Sequence, residues 1–199
     1  MIKKFNDFDQ TKGYTDSAQL PRGGYVCKIV GAKPMDGGYG QSIKIAFDII
    51  EGDYKDYYQK KYAANNSEDK KWPGTFLLNV PSDDGSERDG WTKRRFRTFT
   101  DALEDSNLGY HFDWDETKFK NKLIGFVFNY REWEASDGKV VLIPNPANVT
   151  SVDNIRKENY KIPADRMLKG RKATAPASSP ADPMGFMAVP EGSEEEIPF

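Results

Sequence analysis

The stretch Ser42-Ile-Lys-Ile-Ala-Phe-Asp-Ile49 decides the fold. Ile43, Ile45, Phe47 and Ile49 alternate with Ser42, Lys44, Ala46 and Asp48, which puts the large apolar side chains on one face of an extended segment. Such a strand has a core on one side and water on the other. On its N-terminal side, Pro21-Arg-Gly-Gly24 is a turn and Tyr25-Val-Cys-Lys-Ile-Val30 is a second β-rich run. The glycine-rich loop Asp36-Gly-Gly-Tyr-Gly40 joins the two as a hairpin. It lacks the Lys-Ser/Thr ending of a phosphate-binding loop and the strand–helix setting of a dinucleotide fingerprint, so it is a connector rather than a nucleotide cradle.

Toward the C-terminus, Glu51-Gly-Asp53 is a turn, and Tyr54-Lys-Asp-Tyr-Tyr-Gln-Lys-Lys-Tyr62 reads as a third strand with aromatic and basic residues on both faces. Residues 63–90 are polar and interrupted, and they read as an insertion around the short strand Thr75-Phe-Leu-Leu-Asn-Val80. Residues 91–106 predict a helix, because Phe96, Phe99, Thr100 and Leu103 recur at spacings of three and four. Lys93, Arg94, Arg95 and Arg97 crowd its first half, while Asp101, Glu104 and Asp105 occupy its second. That order opposes the helix dipole at a cost of up to ~1 kcal/mol per charge, which suggests that the cations serve another purpose. Two more strands are expected at Leu123–Trp133 and Lys139–Ile143, joined through the hairpin signal Asp137-Gly138.

Three strands, a helix and two strands is the order of an OB-fold, the five-stranded Greek-key barrel. The expected class is therefore mainly β with one helix, an OB-fold followed by a disordered acidic C-terminal tail. A small β-sandwich is the competing architecture. Residues 1–20 read as an N-terminal arm that packs Phe5 and Phe8 on the body, and 21–169 as the OB-fold domain with its insertion at 63–90. Residues 170–190, rich in Ala, Pro, Ser and Gly, read as a flexible linker, and 191–199 as an acidic partner-binding tip.

Composition narrows the function classes. The 199 residues are 37% hydrophobic and 30% charged, with a formal net charge of −2. Five acidic residues and no Lys or Arg lie beyond residue 172, so the remaining 26 acidic and all 29 basic residues leave the first 172 at +3. One cysteine, Cys27, excludes an intramolecular disulfide, and no apolar run approaches the ~20 residues that span a bilayer. A cytoplasmic protein is expected.

Catalytic chemistry finds little support. The single histidine, His111, sits among Tyr110, Phe112 and Trp114, and one His with one Cys makes no zinc constellation. Asp83, Asp84, Glu87 and Asp89 could hold a divalent metal for a nuclease, but they fall in a Gly/Ser-rich loop and read as solvated charges. No enzymatic activity, cofactor or metal is expected.

Single-stranded nucleic acid calls for cations along a groove and aromatic faces for unstacked bases. These interleave in the run Tyr54, Lys55, Tyr57, Tyr58, Lys60, Lys61 and Tyr62. They do so again in Tyr130, Arg131, Trp133 and Lys139, and in Lys33, Tyr39 and Lys44. In an OB-fold the three sets map onto the third strand, the loop between strands four and five, and the loop between strands one and two, which bind oligonucleotides in that fold. Arg94 and Arg95 of the predicted helix add a fourth basic candidate.

The closing residues Glu191-Gly-Ser-Glu-Glu-Glu-Ile-Pro-Phe199 resemble the C-terminal tip of bacterial single-stranded DNA-binding proteins. That resemblance implies capture of replication and repair partners by Glu194, Glu195, Glu196, Ile197, Pro198 and Phe199. Leu20–Val30, Phe47–Lys55 and Ser151–Arg156 resemble a family of small proteins of unknown-function designation from phages of Gram-positive bacteria, taken as single-stranded DNA-binding proteins. The expectation is a non-enzymatic single-stranded DNA-binding protein of replication, recombination or repair. It would stack bases, pair phosphates and recruit partners through its tip. An adaptor that captures host replication proteins without binding DNA is the alternative. Oligomeric state, site size and preference between DNA and RNA do not follow from these residues.

Overall fold

The computed structural model describes residues 19–37, 40–135 and 138–168. The expectations for the arm at 1–18, for Tyr39 and Asp137, for the linker and for the tip fall outside them.

The alternation at Ser42–Ile49 becomes strand β2, Gly40–Ile49, with Ile43, Ile45, Phe47 and Ile49 buried. Strand β1, Gly23–Gly37, runs antiparallel to it and is much longer than its apolar pattern suggested. β1 serves two neighbours. Its first half also pairs with β4, Leu123–Glu134, and its ladder with β2 is interrupted by a bulge between Ile29 and Gly31. With β3, Thr75–Asn79, and β5, Val140–Thr150, the sheet is five-stranded and antiparallel, in the order β3-β2-β1-β4-β5. It is open, with β3 and β5 as its two edges.

Helix α2, Glu87–Ser106, covers the inner face of the sheet. Phe96, Phe99 and Leu103 pack there with Phe76, Phe119, Phe126 and the apolar side chains of β2. On the opposite face, the short helix α3, Val152–Arg156, closes a smaller cluster of Val26, Val127, Val152 and Ile155. No helix among the described residues is long and apolar enough to cross a membrane.

Three expectations are corrected. Tyr54–Tyr62 is not a strand: after a turn it forms helix α1, Tyr57–Ala64. Tyr58 and Tyr62, four residues apart, share a side in a strand as well as in a helix, so their spacing does not distinguish the two. The cap of α1 comes from a distant carboxylate. Asp48, buried at the end of β2, accepts hydrogen bonds from the N–H groups of Ile49 (2.9 Å), Tyr58 (2.9 Å) and Gln59 (3.1 Å), two of which are first-turn donors. Gly74 lets the return loop approach, since a Cβ there would lie 2.5 Å from the Phe47 carbonyl oxygen.

The third strand is instead the short run inside the supposed insertion, which also contains the start of α2. That helix begins four residues earlier than expected, where the Ser86 hydroxyl accepts from the Asp89 N–H at 3.1 Å. Glu87 and Asp89 therefore occupy its first turn and restore the sign that the dipole favours. Finally, β5 continues through Pro144 and Pro146, beyond the expected end at Ile143. An edge strand tolerates proline where the ring nitrogen faces away from the partner strand.

Candidate nucleic-acid interface

Between the two sheet edges lies a cleft of about 610 Å³, with β3 on one wall, β5 on the other and α1 and Arg166 closing its ends. A second recess of about 590 Å³ continues it along α2, and the two share Asn79 and Arg95. Among the described residues, no Asp or Glu lines either part. The cations are Lys61 from α1, Arg88, Arg94 and Arg95 from α2, Arg131 from β4, and Arg166. Lys61, Arg94, Arg95, Arg131 and Arg166 form no ion pair with any described residue. Like charges gathered without a counter-ion repel, so the arrangement disfavours the empty protein and favours an anion.

Arg95 stands at the junction. Its guanidinium carbon lies 5.2 Å from the centroid of the Phe76 ring, over the edge of the core. Desolvation there, followed by the neighbouring charge of Arg166, lowers its pKa from the ordinary arginine value. The group stays cationic, because arginine starts so far above neutrality. The opposite charge of a phosphate would offset both influences.

Arg166 reaches the cleft because its segment is stitched to β4. Its N–H donates to the Tyr130 carbonyl at 2.8 Å, and its carbonyl accepts from the Glu132 N–H at 2.9 Å. The preceding Asp165 accepts from Arg22 Nε at 2.9 Å and from the Tyr130 N–H at 3.0 Å. Arg22 holds the Asp165 carboxyl below the usual carboxylate range.

The recess also presents an aromatic surface. Trp91 is 66% exposed on the first half of α2, and the Arg94 guanidinium carbon lies 5.1 Å from its ring centroid. An exposed indole backed by a cation is a platform for an unstacked base.

The sequence candidates divide accordingly. Tyr57, Tyr58, Lys61, Arg94, Arg95 and Arg131 are brought together along the cleft. Of these, Tyr58 is a core residue, edge-on to Phe47, and burial pushes its hydroxyl pKa far up. The Tyr57 hydroxyl accepts from the Leu20 N–H at 3.2 Å.

The other candidates lie elsewhere. Tyr54 packs edge-on against Tyr25, and Tyr62 packs on Trp72. Lys60 donates to the Lys55 carbonyl at 2.8 Å, and Lys55 itself is exposed. Tyr130 lies under the Arg22 guanidinium, and Trp133, 48% exposed, sits opposite Val141 toward the far end of the hairpin that carries Lys139. Lys33 and Lys44 face each other across the β1–β2 ladder, and Lys44 is in turn opposite Leu77, which lines the cleft. Like charges directly opposed are unfavourable in a ladder, and neither lysine lines the cleft.

Sequence reading missed Trp91, Arg88 and Arg166. The first two become visible once the helix is started at the Ser86 cap, since 88, 91 and 95 then share one flank. Arg166 had no local signal, because only the tertiary clip through Asp165 brings it in. The carboxylates weighed for a nuclease lie near Lys93 instead. Asp83 and Asp89 pair with its ammonium, and Asp84 accepts from Ser82 and Ser86. Neither a family model nor a curated protein sequence matches the chain.

Proposed function

We propose that the protein binds single-stranded DNA in the cleft between β3 and β5 and serves replication, recombination or repair without catalysing a reaction. The observation that carries this reading is a cleft lined by no described Asp or Glu, in which Lys61, Arg94, Arg95, Arg131 and Arg166 form no ion pair with a described residue, beside an exposed Trp91. Phosphates would lie along Lys61, Arg131, Arg166 and Arg95, and a base would stack on Trp91. Duplex DNA cannot offer an unstacked base, which gives the preference for single strands its physical reason.

The fold reading agrees. β4-β1-β2-β3 is the spatial order of a Greek key, and α2 connects β3 to β4. We read the sheet as an OB barrel left open at the β3/β5 seam, with the nucleic acid in that opening. The tip at 191–199, joined to the body by residues 170–190, would recruit partner proteins, as its resemblance implies.

A titration of the intact chain with oligo(dT), followed by Trp and Tyr fluorescence, tests the proposal. Quenching, preference over duplex competitor and affinity that falls linearly with log salt are expected. Absence of binding at low salt would remove it.

A further inference from the structure

The far flank of α2 carries a second groove of different chemistry. Its two parts, about 350 and 260 Å³, share Phe96, Phe112 and Trp114. Trp114 is 78% exposed, yet its ring is ordered by stacking on Phe96 (6.0 Å between centroids, 11° between planes) and by contact with Phe112 at 5.4 Å. Its φ of 67° is an uncommon left-handed conformation for a bulky residue, so the backbone holds an indole outward against its own preference. The loop is pinned beneath it, where Glu104 of α2 accepts from the Phe112 N–H at 2.9 Å.

The charges around this groove are opposite in sign to those of the cleft. Its two lining cations are already neutralised: Lys93 by Asp83 and Asp89, and Arg97 by Asp101 at 2.7 Å. Glu116 lines the groove with no ion-pair partner among the described residues, and Asp113 and Asp115 flank Trp114 with Lys118 between them. A surface of stacked aromatics and prolines (Pro34 and Pro81) under an acidic rim repels a phosphate backbone and suits an extended peptide.

We infer that this groove docks a partner protein through a short basic segment, in which an aromatic or proline anchor on Trp114 is followed by Lys or Arg at the acidic rim. The site is separate from the nucleic-acid cleft and does not require that reading. It would let the body hold a partner directly, alongside any partner held by the tip.

Panning a random dodecapeptide library against the intact protein, with affinities of the selected peptides measured by fluorescence anisotropy, tests the inference. The expected selection is rich in Lys or Arg beside Trp, Tyr, Phe or Pro. Binding should weaken at least tenfold in Trp114→Ala and at least fivefold in Glu116→Lys, while both variants keep the thermal transition and the oligo(dT) response of the parent protein. Both positions are at the surface of the described fold, and the charge variant tests the rim without removing the indole. An empty selection, acidic peptides or indifference to both variants would overturn the inference. So would loss of self-association in Trp114→Ala by sedimentation, which would make a second copy the occupant. Competition by oligo(dT) for the same groove would also overturn it.

Discussion

The two flanks of α2 are built from the same cations and use them differently. Lys93 and Arg97, on one flank, are each held by aspartates close in sequence. Arg94 and Arg95, adjacent in sequence but turned to the other side, meet Trp91, Phe76 and Arg166 and find no carboxylate among the described residues. A run of four basic residues in five positions therefore contains two cations paired with carboxylates and two that pair with none among the described residues. What separates them is the absence of a counter-ion, not the presence of charge.

The largest test of that contrast removes Arg95 together with two other cations of the cleft. Arg95→Ala with Arg131→Ala and Arg166→Ala should weaken oligo(dT) binding by more than ~100-fold and reduce the slope of log affinity against log salt by roughly 2, because each phosphate contact in a single strand accounts for about 0.7. An unchanged slope in a salt titration would place the strand elsewhere. Next in size is Trp91→Ala, for which the loss of one stacked base predicts about tenfold weaker binding and a smaller fluorescence response. Equal quenching in the variant and the parent would show that the indole does not stack.

A smaller effect is expected at the clip. Asp165→Asn should weaken DNA binding two- to fivefold and destabilise the fold by about 1 kcal/mol at neutral pH, a modest figure because the Arg22 pair is partly solvated. The Asp165 pKa is depressed in the folded state, so its stabilisation is present above the unfolded value near 3.9 and is lost as pH falls through the lower folded value. Thermal melts of the two proteins should therefore differ at pH 6 and converge as the pH falls below the ordinary carboxylate range. The smallest change belongs to the paired flank. Arg97→Ala should alter DNA affinity less than about twofold and stability by no more than ~0.5 kcal/mol, as measured by parallel titration and melting. A tenfold loss of affinity there would erase the distinction between the flanks.

How much of this was legible depended on the range of the signal. The period of two at Ile43–Ile49 and the helical recurrence of Phe96, Phe99 and Leu103 placed the sheet and its covering helix, because burial on one face writes itself into adjacent residues. Tyr54–Tyr62 misled, because its helix is capped by Asp48 from another element and is a poor amphipathic pattern by itself. The cleft was half legible: Lys61, Arg94, Arg95 and Arg131 belong to runs that looked basic, but their convergence required the order β3-β2-β1-β4-β5 to leave two edges facing each other. Trp114 was noted only as a neighbour of His111, since nothing in its local pattern announces a left-handed backbone.

The prolines of β5 have a consequence beyond the strand's length. Pro144 and Pro146 occupy ladder positions opposite Tyr130 and Phe128, on an edge that a nearby strand could otherwise extend. Without amide hydrogens at these two alternate positions, that edge offers carbonyl acceptors over the stretch facing the cleft but too few donors to template a new strand. The β5 edge is thus a poor template for edge-to-edge polymerisation into fibrils.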